Sequence, residues 1–390
     1  MRAMRVVVTG AGIGGLSAAI ALREAGHDVV VLERAPRIEA VGAGITLFGN
    51  AMNALERLGV REAVAGGGAA ATRSAILTSD GRQLTELPAD LLEGTVAIHR
   101  ADLQTILLEA AGEVHVGTEV VAVEQHAGGV VVQTANGADE YGDLLVGADG
   151  AYSVVRHSIA DTPPRYAGYT AWRGVSPMSV ESGRLTESWG VGERFGLVDI
   201  GRGTYWFATK NAREGEEDEL GGRKAEIQRR FSAWHEPIPA VIAATSEETI
   251  LRNDVSYLGP IPRWGKGRVV LLGDAAHAMT PGVGQGAAQA IEDAIVLGAE
   301  LARADDIASA LGAYESIRRP RVEAVVEMSR KADKVAQLAS PIGCRLRNAA
   351  VRRMPKRAQR RQLEFLLRHS FVTGCAAGQG DADHRGAARK

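Results

Sequence analysis

Cysteine is nearly missing from this chain. Only Cys344 and Cys375 occur among 390 residues, both toward the C-terminus. Two thiols so placed match no metal-ligand spacing and build no disulfide framework, so a reducing compartment is expected and no metal site. Long apolar runs are missing too: none reaches the ~18 residues of a membrane span. Charge of one sign is not in excess. Lysine and arginine number 45 against 47 acidic residues, a net charge of −2, and nothing global points to nucleic acid. No internal repeat is present. Met1-Arg2-Ala3-Met4-Arg5 ahead of apolar residues superficially resembles a signal peptide, but cleavage there would destroy the motif that follows. A cytoplasmic location is expected. The hydrophobic fraction of 45 % is ample for a core, and the length suits one large two-part domain or two domains.

Glycine is present, and it is organised. Arg5-Val6-Val7-Val8-Thr9 reads as a strand, Gly10-Ala11-Gly12-Ile13-Gly14-Gly15 as a turn, Leu16–Ala25 as a helix, and Asp28–Leu32 as a second strand closed by Glu33. This is the G-x-G-x-x-G pattern in a βαβ frame. Gly10 permits the tight turn, Gly12 lets backbone approach a pyrophosphate, and Gly15 lets helix and strand pack. The helix N-terminus offers N–H groups to phosphates. Glu33 is placed to accept hydrogen bonds from adenosine ribose hydroxyls. A bound dinucleotide follows; the motif alone does not choose between NAD and FAD.

Further along, Ala40–Leu47 is a second glycine-rich stretch leading through Gly49-Asn50 into a helix over 51–58. Leu77–Leu87 reads as a hairpin turning at Asp80-Gly81, and Ala101–Ala111 as a helix. Strands are expected over 114–123, 129–134 and 141–150, and a short helix over 153–159. From Tyr169 to Phe207 short β-rich segments predict an antiparallel sheet. The acidic run Glu214–Glu219 is expected as a solvated loop, followed by a helix over 224–234. Arg268–Asp274 reads as a buried strand, Ala287–Ala302 as a long helix, and 311–339 as further helix. The basic segment Arg345–Arg361 is expected to present a solvated helix face, and the residues from about Ala376 onward to be disordered.

Three glycine–acid signals thus stand in order: the opening turn, Asp149-Gly150, and Gly273-Asp274 with Ala275-Ala276-His277-Ala278-Met279-Thr280-Pro281-Gly282-Val283-Gly284-Gln285-Gly286. With them, residues 4–335 resemble the single-component (class A) FAD-dependent aromatic monooxygenases, the group of para-hydroxybenzoate hydroxylase and salicylate hydroxylase. The third signal fits a flavin physically. Asp274 at a strand end can accept from ribityl hydroxyls, and the glycines let backbone lie against a flat ring. The helix that follows presents its positive end to the reduced ring.

The resemblance implies an α/β fold: a Rossmann-like FAD-binding domain, an inserted antiparallel β-sheet substrate domain and a C-terminal helical region. Expected parts are FAD-binding segments at 1–72, 96–164 and 263–335, a substrate-domain hairpin at 73–95, the substrate sheet at 165–262, a helical region at 336–375, and the tail at 376–390. Expected cofactor contacts are Gly10, Gly12, Ile13, Gly14, Gly15, Glu33, Arg34, Gly44, Ile45, Arg100, Val120, Asp149, Gly150, Asp274, Pro281, Gly284, Gln285, Gly286 and Ala287. Arg100 matches the family's helix-start arginine, and Val120 a place where backbone meets the adenine. Gly49-Asn50 departs from the usual Pro-Asn. NADH or NADPH is implied as co-substrate, and no second dinucleotide fold is present to hold it.

The implied activity is hydroxylation of an aromatic or conjugated small molecule with molecular oxygen, through a flavin C4a-hydroperoxide. Trp172, Arg173, Trp189, Arg194, Phe195, Tyr205 and Trp206 come from the sheet expected to roof the flavin, or else form that sheet's own core. Tyr205 and Arg194 are the leading pocket candidates, with His277 as a further acid–base candidate or, as a structural histidine, a support beneath the Gly-Asp turn. Some urate-hydroxylating relatives carry an acid between the loop's proline and its Gly-Gln-Gly; Gly282-Val283 here disfavours that substrate. Alternatives are an epoxidase or tailoring oxidase of a non-aromatic natural product and a non-catalytic redox sensor. The halogenase tryptophan motif and lysine loop are missing. A monomer or homodimer is expected.

Overall fold

The computed structural model describes residues 2–38, 43–218 and 221–368. The expected disordered tail, Cys375, Glu219 and part of the second glycine-rich stretch lie outside the described residues.

The chain opens with β1 (Arg5–Thr9), α1 (Ile13–Glu24) and β2 (Asp28–Leu32), then β3 (Gly44–Leu47), α2 (Gly49–Arg57) and α3 (Arg61–Gly67). Next come the short β4 (Ala69–Ala70), the hairpin β5 (Arg73–Thr78) and β6 (Gln83–Glu86), β7 (Val96–His99) and α4 (Arg100–Ala111). β8 (Val120–Gln125), β9 (Val130–Thr134), β10 (Glu140–Gly142), β11 (Leu144–Gly147) and α5 (Val154–His157) complete the first half. The second half holds β12 (Arg165–Ser176), β13 (Arg184–Trp189), β14 (Glu193–Asp199), β15 (Thr204–Asn211), α6 (Arg223–Phe231), α7 (Ile238–Ala244) and β16 (Leu251–Tyr257). It ends with β17 (Gly265–Lys266), β18 (Val269–Leu271), α8 (Asp274–His277), α9 (Gly286–Arg303), α10 (Ile307–Ala336), α11 (Pro341–Arg353) and α12 (Lys356–Leu367).

A five-stranded sheet in the order β17-β18-β11-β1-β2 forms the centre, parallel except for β17. Val6, Val7 and Val8 are buried on both faces, as a continuous apolar run in a covered parallel sheet requires. A seven-stranded sheet, β16-β12-β15-β14-β13-β5-β6, is antiparallel except where β13 runs parallel to β5, so the early hairpin is built into the later sheet. The expected FAD-binding α/β architecture with its second sheet and terminal helices is therefore the one observed.

Two expected strands are each split. Within 114–123, His115 bridges Leu32 at the end of β2, the chain turns at Gly117 (φ +66°), and only then does β8 pair with β9. Within 141–150, Gly142 ends pairing with β9, the Asp143 amide donates to Arg5 O at 2.7 Å, and β11 starts in the central sheet. The acidic run is anchored rather than merely solvated: Glu216 pairs with Lys210 at 2.8 Å, and Asp218 meets the Trp172 indole at 3.1 Å and Arg252 at 3.2 Å. The basic segment is mostly exposed, but Arg347 is buried over Trp189 and Arg360 pairs with Asp90 at 2.6 Å.

Side chains alternate across the large sheet. Trp172, Phe195, Leu197, Trp206 and Ala208 share one face and pack on Ile227, Phe231, Ile238, Val241 and Ile242. That face is core, which removes Trp172, Phe195 and Trp206 from the pocket candidates. The opposite face carries Tyr169, Arg173, Glu187, Arg194, Tyr205, Phe207 and Thr209 by the strand registers. Tyr205 on this face lies against Gly44.

Candidate active site

The opening turn is closed by packing at three glycines and left open at one. A Cβ on Gly10 would sit 2.6 Å from Ala148 O, one on Gly15 1.9 Å from Gly10 O, and one on Gly14 3.0 Å from Leu272 Cδ1. At Gly12 a Cβ meets nothing within 4 Å. Three glycines therefore serve the fold, and Gly12 serves whatever approaches it. No side chain caps α1, so its first amides remain available to phosphate. Glu33 ends β2 with Oε2 accepting from Ala11 N at 2.7 Å and Oε1 from Ala35 N at 2.9 Å; Arg34 beside it is exposed. Gln104, not singled out by the sequence, donates to Ala11 O at 2.8 Å and ties α4 to the turn. Arg100, exposed at the start of α4, donates its amide to Ala43 O at 2.9 Å. Val120 is buried at the start of β8.

The second and third signals converge at the ends of β11 and β18. Asp149 Oδ2 accepts from Val154 N at 2.7 Å and Val155 N at 3.1 Å, while its Oδ1 is buried without a partner among the described residues. Gly150 and Gly273 adopt φ of +83° and +59°, a region open to glycine. Asp274 is exposed as the first residue of α8. The loop Pro281–Gly286 turns through Gly284 (φ +63°), whose amide donates to Pro281 O at 2.9 Å. Gly282 has no room for a side chain: a Cβ would lie 2.7 Å from Asp333 Oδ1 and 2.6 Å from Ser329 O.

Beneath this loop lies a buried polar network. Asn50 donates to Gln285 Oε1 and Glu292 Oε1, both at 2.8 Å. Glu292 pairs with Arg318 at 2.6 Å and Arg321 at 2.8 Å. Asp293 accepts from Arg318 Nε at 2.7 Å and Gly273 N at 3.0 Å, and lies 2.6 Å from His277 Nε2. Burial works to raise both carboxyls, but the facing cations overcome it and hold both below their ordinary values. His277, under the Trp264 ring at 5.1 Å, is buried in this network, a supporting position beneath the Gly-Asp turn. The sequence signal for the network is the pair of acids Glu292 and Asp293 in the mainly apolar first half of α9.

On the sheet side, Gly44 has no space for a side chain because a Cβ would come 2.5 Å from Tyr205 Cβ. Burial pushes the Tyr205 hydroxyl pKa up, against the charges of Arg173 and Arg100. Phe207 lies across Gly196, where a Cβ would come within 2.0 Å of its ring. Arg194 is enclosed: 3 % exposed, 3.2 Å from Glu187, 2.9 Å from Asp333, and donating to Gln337 at 2.9 Å. Tyr169 donates to Asp333 at 3.0 Å. Asp333 and Tyr169 carried no sequence signal. Among the described residues no three His, Cys, Asp or Glu gather as a metal site would, and no helix is long and apolar enough to cross a membrane.

The residues fit a flavin dinucleotide. One strand-end turn is open at Gly12, a second offers the unpartnered Asp149 Oδ1, and a third leaves Asp274 exposed ahead of the glycine-rich loop. The model of an FAD-binding domain matches residues 3–329. The chain belongs to the class A FAD-dependent monooxygenases. It is 41 % identical to the aurachin C monooxygenase/isomerase of Stigmatella aurantiaca, over 93 % of this chain and 98 % of that protein. It is 36 % identical to the 2-heptyl-3-hydroxy-4(1H)-quinolone synthase of Pseudomonas aeruginosa, over 92 % and 96 %. The crystal structure of Klebsiella pneumoniae HpxO complexed with FAD and uric acid superposes with a TM-score of 0.87 at 32 % identity, covering 93 % of this chain and 97 % of that one. This monooxygenase therefore binds FAD and hydroxylates an aromatic or heterocyclic substrate. A purely sensory role is set aside.

Proposed function

We propose that this monooxygenase inserts one oxygen atom into an oxygen-bearing heteroaromatic ring carrying an apolar substituent, with a 4-quinolone as the best class. NADH or NADPH serves as reductant. The single observation behind the ring substituent is the apolar cluster bordering the flavin loop. Val283, Phe48, Met279 and Met328 pack with Leu363, Leu366 and Leu367 from the end of α12 and with Val325 and Leu91. The loop carries Val283 and no acid of its own, which suits an alkyl chain better than a polar purine. The quinolone synthase named above, with its heptyl-bearing product, supports the same class.

When bound, FAD supplies the redox chemistry: it accepts hydride from the nicotinamide and activates O₂ to give one oxygen to the ring and one to water. The protein's part is placement. Gly12, Ile13, Glu33 and Arg34 would attend the adenosine and pyrophosphate end, on the turn that Gly10, Gly14 and Gly15 shape, with Val120 at the adenine. Arg100, Asp149, Gly150 and Asp274 attend the middle of the cofactor. Gly44, Ile45, Pro281, Gly284, Gln285, Gly286 and Ala287 would border the ring, and the α9 N-terminus would stabilise negative charge there. Tyr205, kept protonated by burial, donates a hydrogen bond at the substrate oxygen. Arg194 shapes the pocket from its enclosed position. His277 supports the turn and moves no proton of the substrate.

The test is oxidation of NADH and NADPH by the purified yellow protein with 2-heptyl-4-quinolone, urate and 3-amino-4-hydroxybenzoate offered separately. Stimulation by the quinolone with a product heavier by one oxygen is expected. Stimulation by urate or the benzoate alone would replace this substrate class.

A further inference from the structure

The face of the sheet opposite its aromatic core carries two arginines, and only one of them is paired with carboxylates among the described residues. Arg194 is neutralised twice over, by Glu187 and Asp333, and both its carboxylate partners are themselves held by Trp189 and Tyr169. A guanidinium already shared by two carboxylates has little charge left for a ligand. It is a strut between the sheet and α10.

Arg173 is different. It stands opposite Phe207 on β15 and Leu251 on β16, on the face shared with Tyr205. Its Nη2 donates to Asn253 Oδ1 at 2.9 Å. Its Nε is buried with no partner, and no carboxylate pairs with it among the described residues. The rest of the side chain is half-buried. A buried donor without an acceptor is costly, and a fixed cation without a counter-ion is more so. Both are retained most readily where a ligand completes them. In the strand register Tyr205 lies two residues from Phe207, the partner of Arg173, so the two groups share one face of the sheet.

We propose that Arg173 is the substrate-orienting cation of this monooxygenase, taking an oxo, enolate or phenolate oxygen of the ring substrate at its Nε–H and outer guanidinium edge. Asn253 fixes the fork, Phe207 offers a ring face beside it, and Tyr205 donates from the neighbouring position. A guanidinium there favours the ionised form of a ring hydroxyl. That form is the more electron-rich and the more readily attacked by an electrophilic oxygen. The chemistry rests on the ring-oxygenation reading above; the binding it requires does not depend on turnover.

The test uses the holoenzyme in the absence of nicotinamide and 4-nitrophenol, whose ionised form absorbs in the visible. Difference spectra across pH give both affinity and the ionisation of the bound probe. In the wild type the bound phenol ionises at lower pH than the free one. Arg173→Met is expected to weaken binding about tenfold and abolish that shift, with FAD content and melting temperature unchanged. Should Arg173→Met fail to retain FAD, Arg173→Lys carries the test. It keeps the charge but lacks the Nε–H, and is expected to keep part of the shift with binding weakened severalfold. Unchanged affinity and shift in either variant, or no binding to the wild type, overturns the proposal. A quinolone that is never oxygenated while 4-nitrophenol behaves as described overturns the functional reading and leaves the role of Arg173 standing.

Discussion

Arg318 of α10 reaches Glu292 of α9 at 2.6 Å with both side chains essentially inaccessible to water, directly beneath the Pro281–Gly286 loop. The same guanidinium also holds Asp293 at 2.7 Å. Removing it leaves two buried carboxylates with reduced compensation. Arg318→Met is expected to destabilise the fold by about 3–5 kcal/mol, the range for breaking a buried pair. Urea denaturation of the flavin-free protein checks this, and a loss below about 1 kcal/mol would show the network to be dispensable.

The carboxyls of Glu292 and Asp293 are both held below their ordinary values of 4.5 and 3.8. The unfolded chain thus takes up their protons at higher pH than the native one. The stability they contribute is fully present above those ordinary values and is lost as pH falls through the lower native ones. Flavin release and unfolding on acidification are expected to coincide in that acid window. The Arg318→Met variant should lose its flavin at distinctly higher pH.

Gly12→Ala separates fold from ligand. No protein atom lies within 4 Å of the added Cβ, and the backbone there, at φ −74°, suits alanine. The variant is expected to fold and melt like the wild type without FAD, yet bind FAD at least tenfold more weakly. Gly15→Ala, whose Cβ would lie 1.9 Å from Gly10 O, is expected to impair folding itself. Calorimetric melts with and without FAD distinguish the two.

Tyr205→Phe tests the hydroxyl on the pocket face. FAD affinity is expected to stay within about twofold, because the ring and its contact with Gly44 remain. The rate of ring oxygenation is expected to fall about tenfold, with more reduced flavin lost to hydrogen peroxide. Product and peroxide measured from the same turnover would sink the assignment if their ratio did not move.

Glycine chemistry made the cofactor end legible, because a steric requirement leaves its mark at fixed positions: Gly10, Gly15, Gly273 and Gly284 stand where the chain needs them. The pocket was less legible. Trp172 and Arg173 are neighbours in sequence, and only the pleat decides that the first enters the core while the second lies on the opposite face. Arg194 looked like a free handle because its partner Asp333 comes from a helix far along the chain, and no local pattern announces a long-range ion pair. The split of 114–123 turned on one glycine, Gly117, whose positive φ no apolar run reveals.

The pleat of β12, β14 and β15 has an evolutionary corollary. The aromatic face on α6 and α7 sustains the sheet, while Arg173, Tyr205 and Phe207 alternate with it on the other side. On the proposed roles, exchange at these three positions would alter which molecule is admitted and leave the hydrophobic side in place. Insertion of a single residue in β12 or β15, by contrast, would turn the later side chains of that strand to the other face. New substrates are thus within reach of point substitution, and length changes inside these strands are not a path to them.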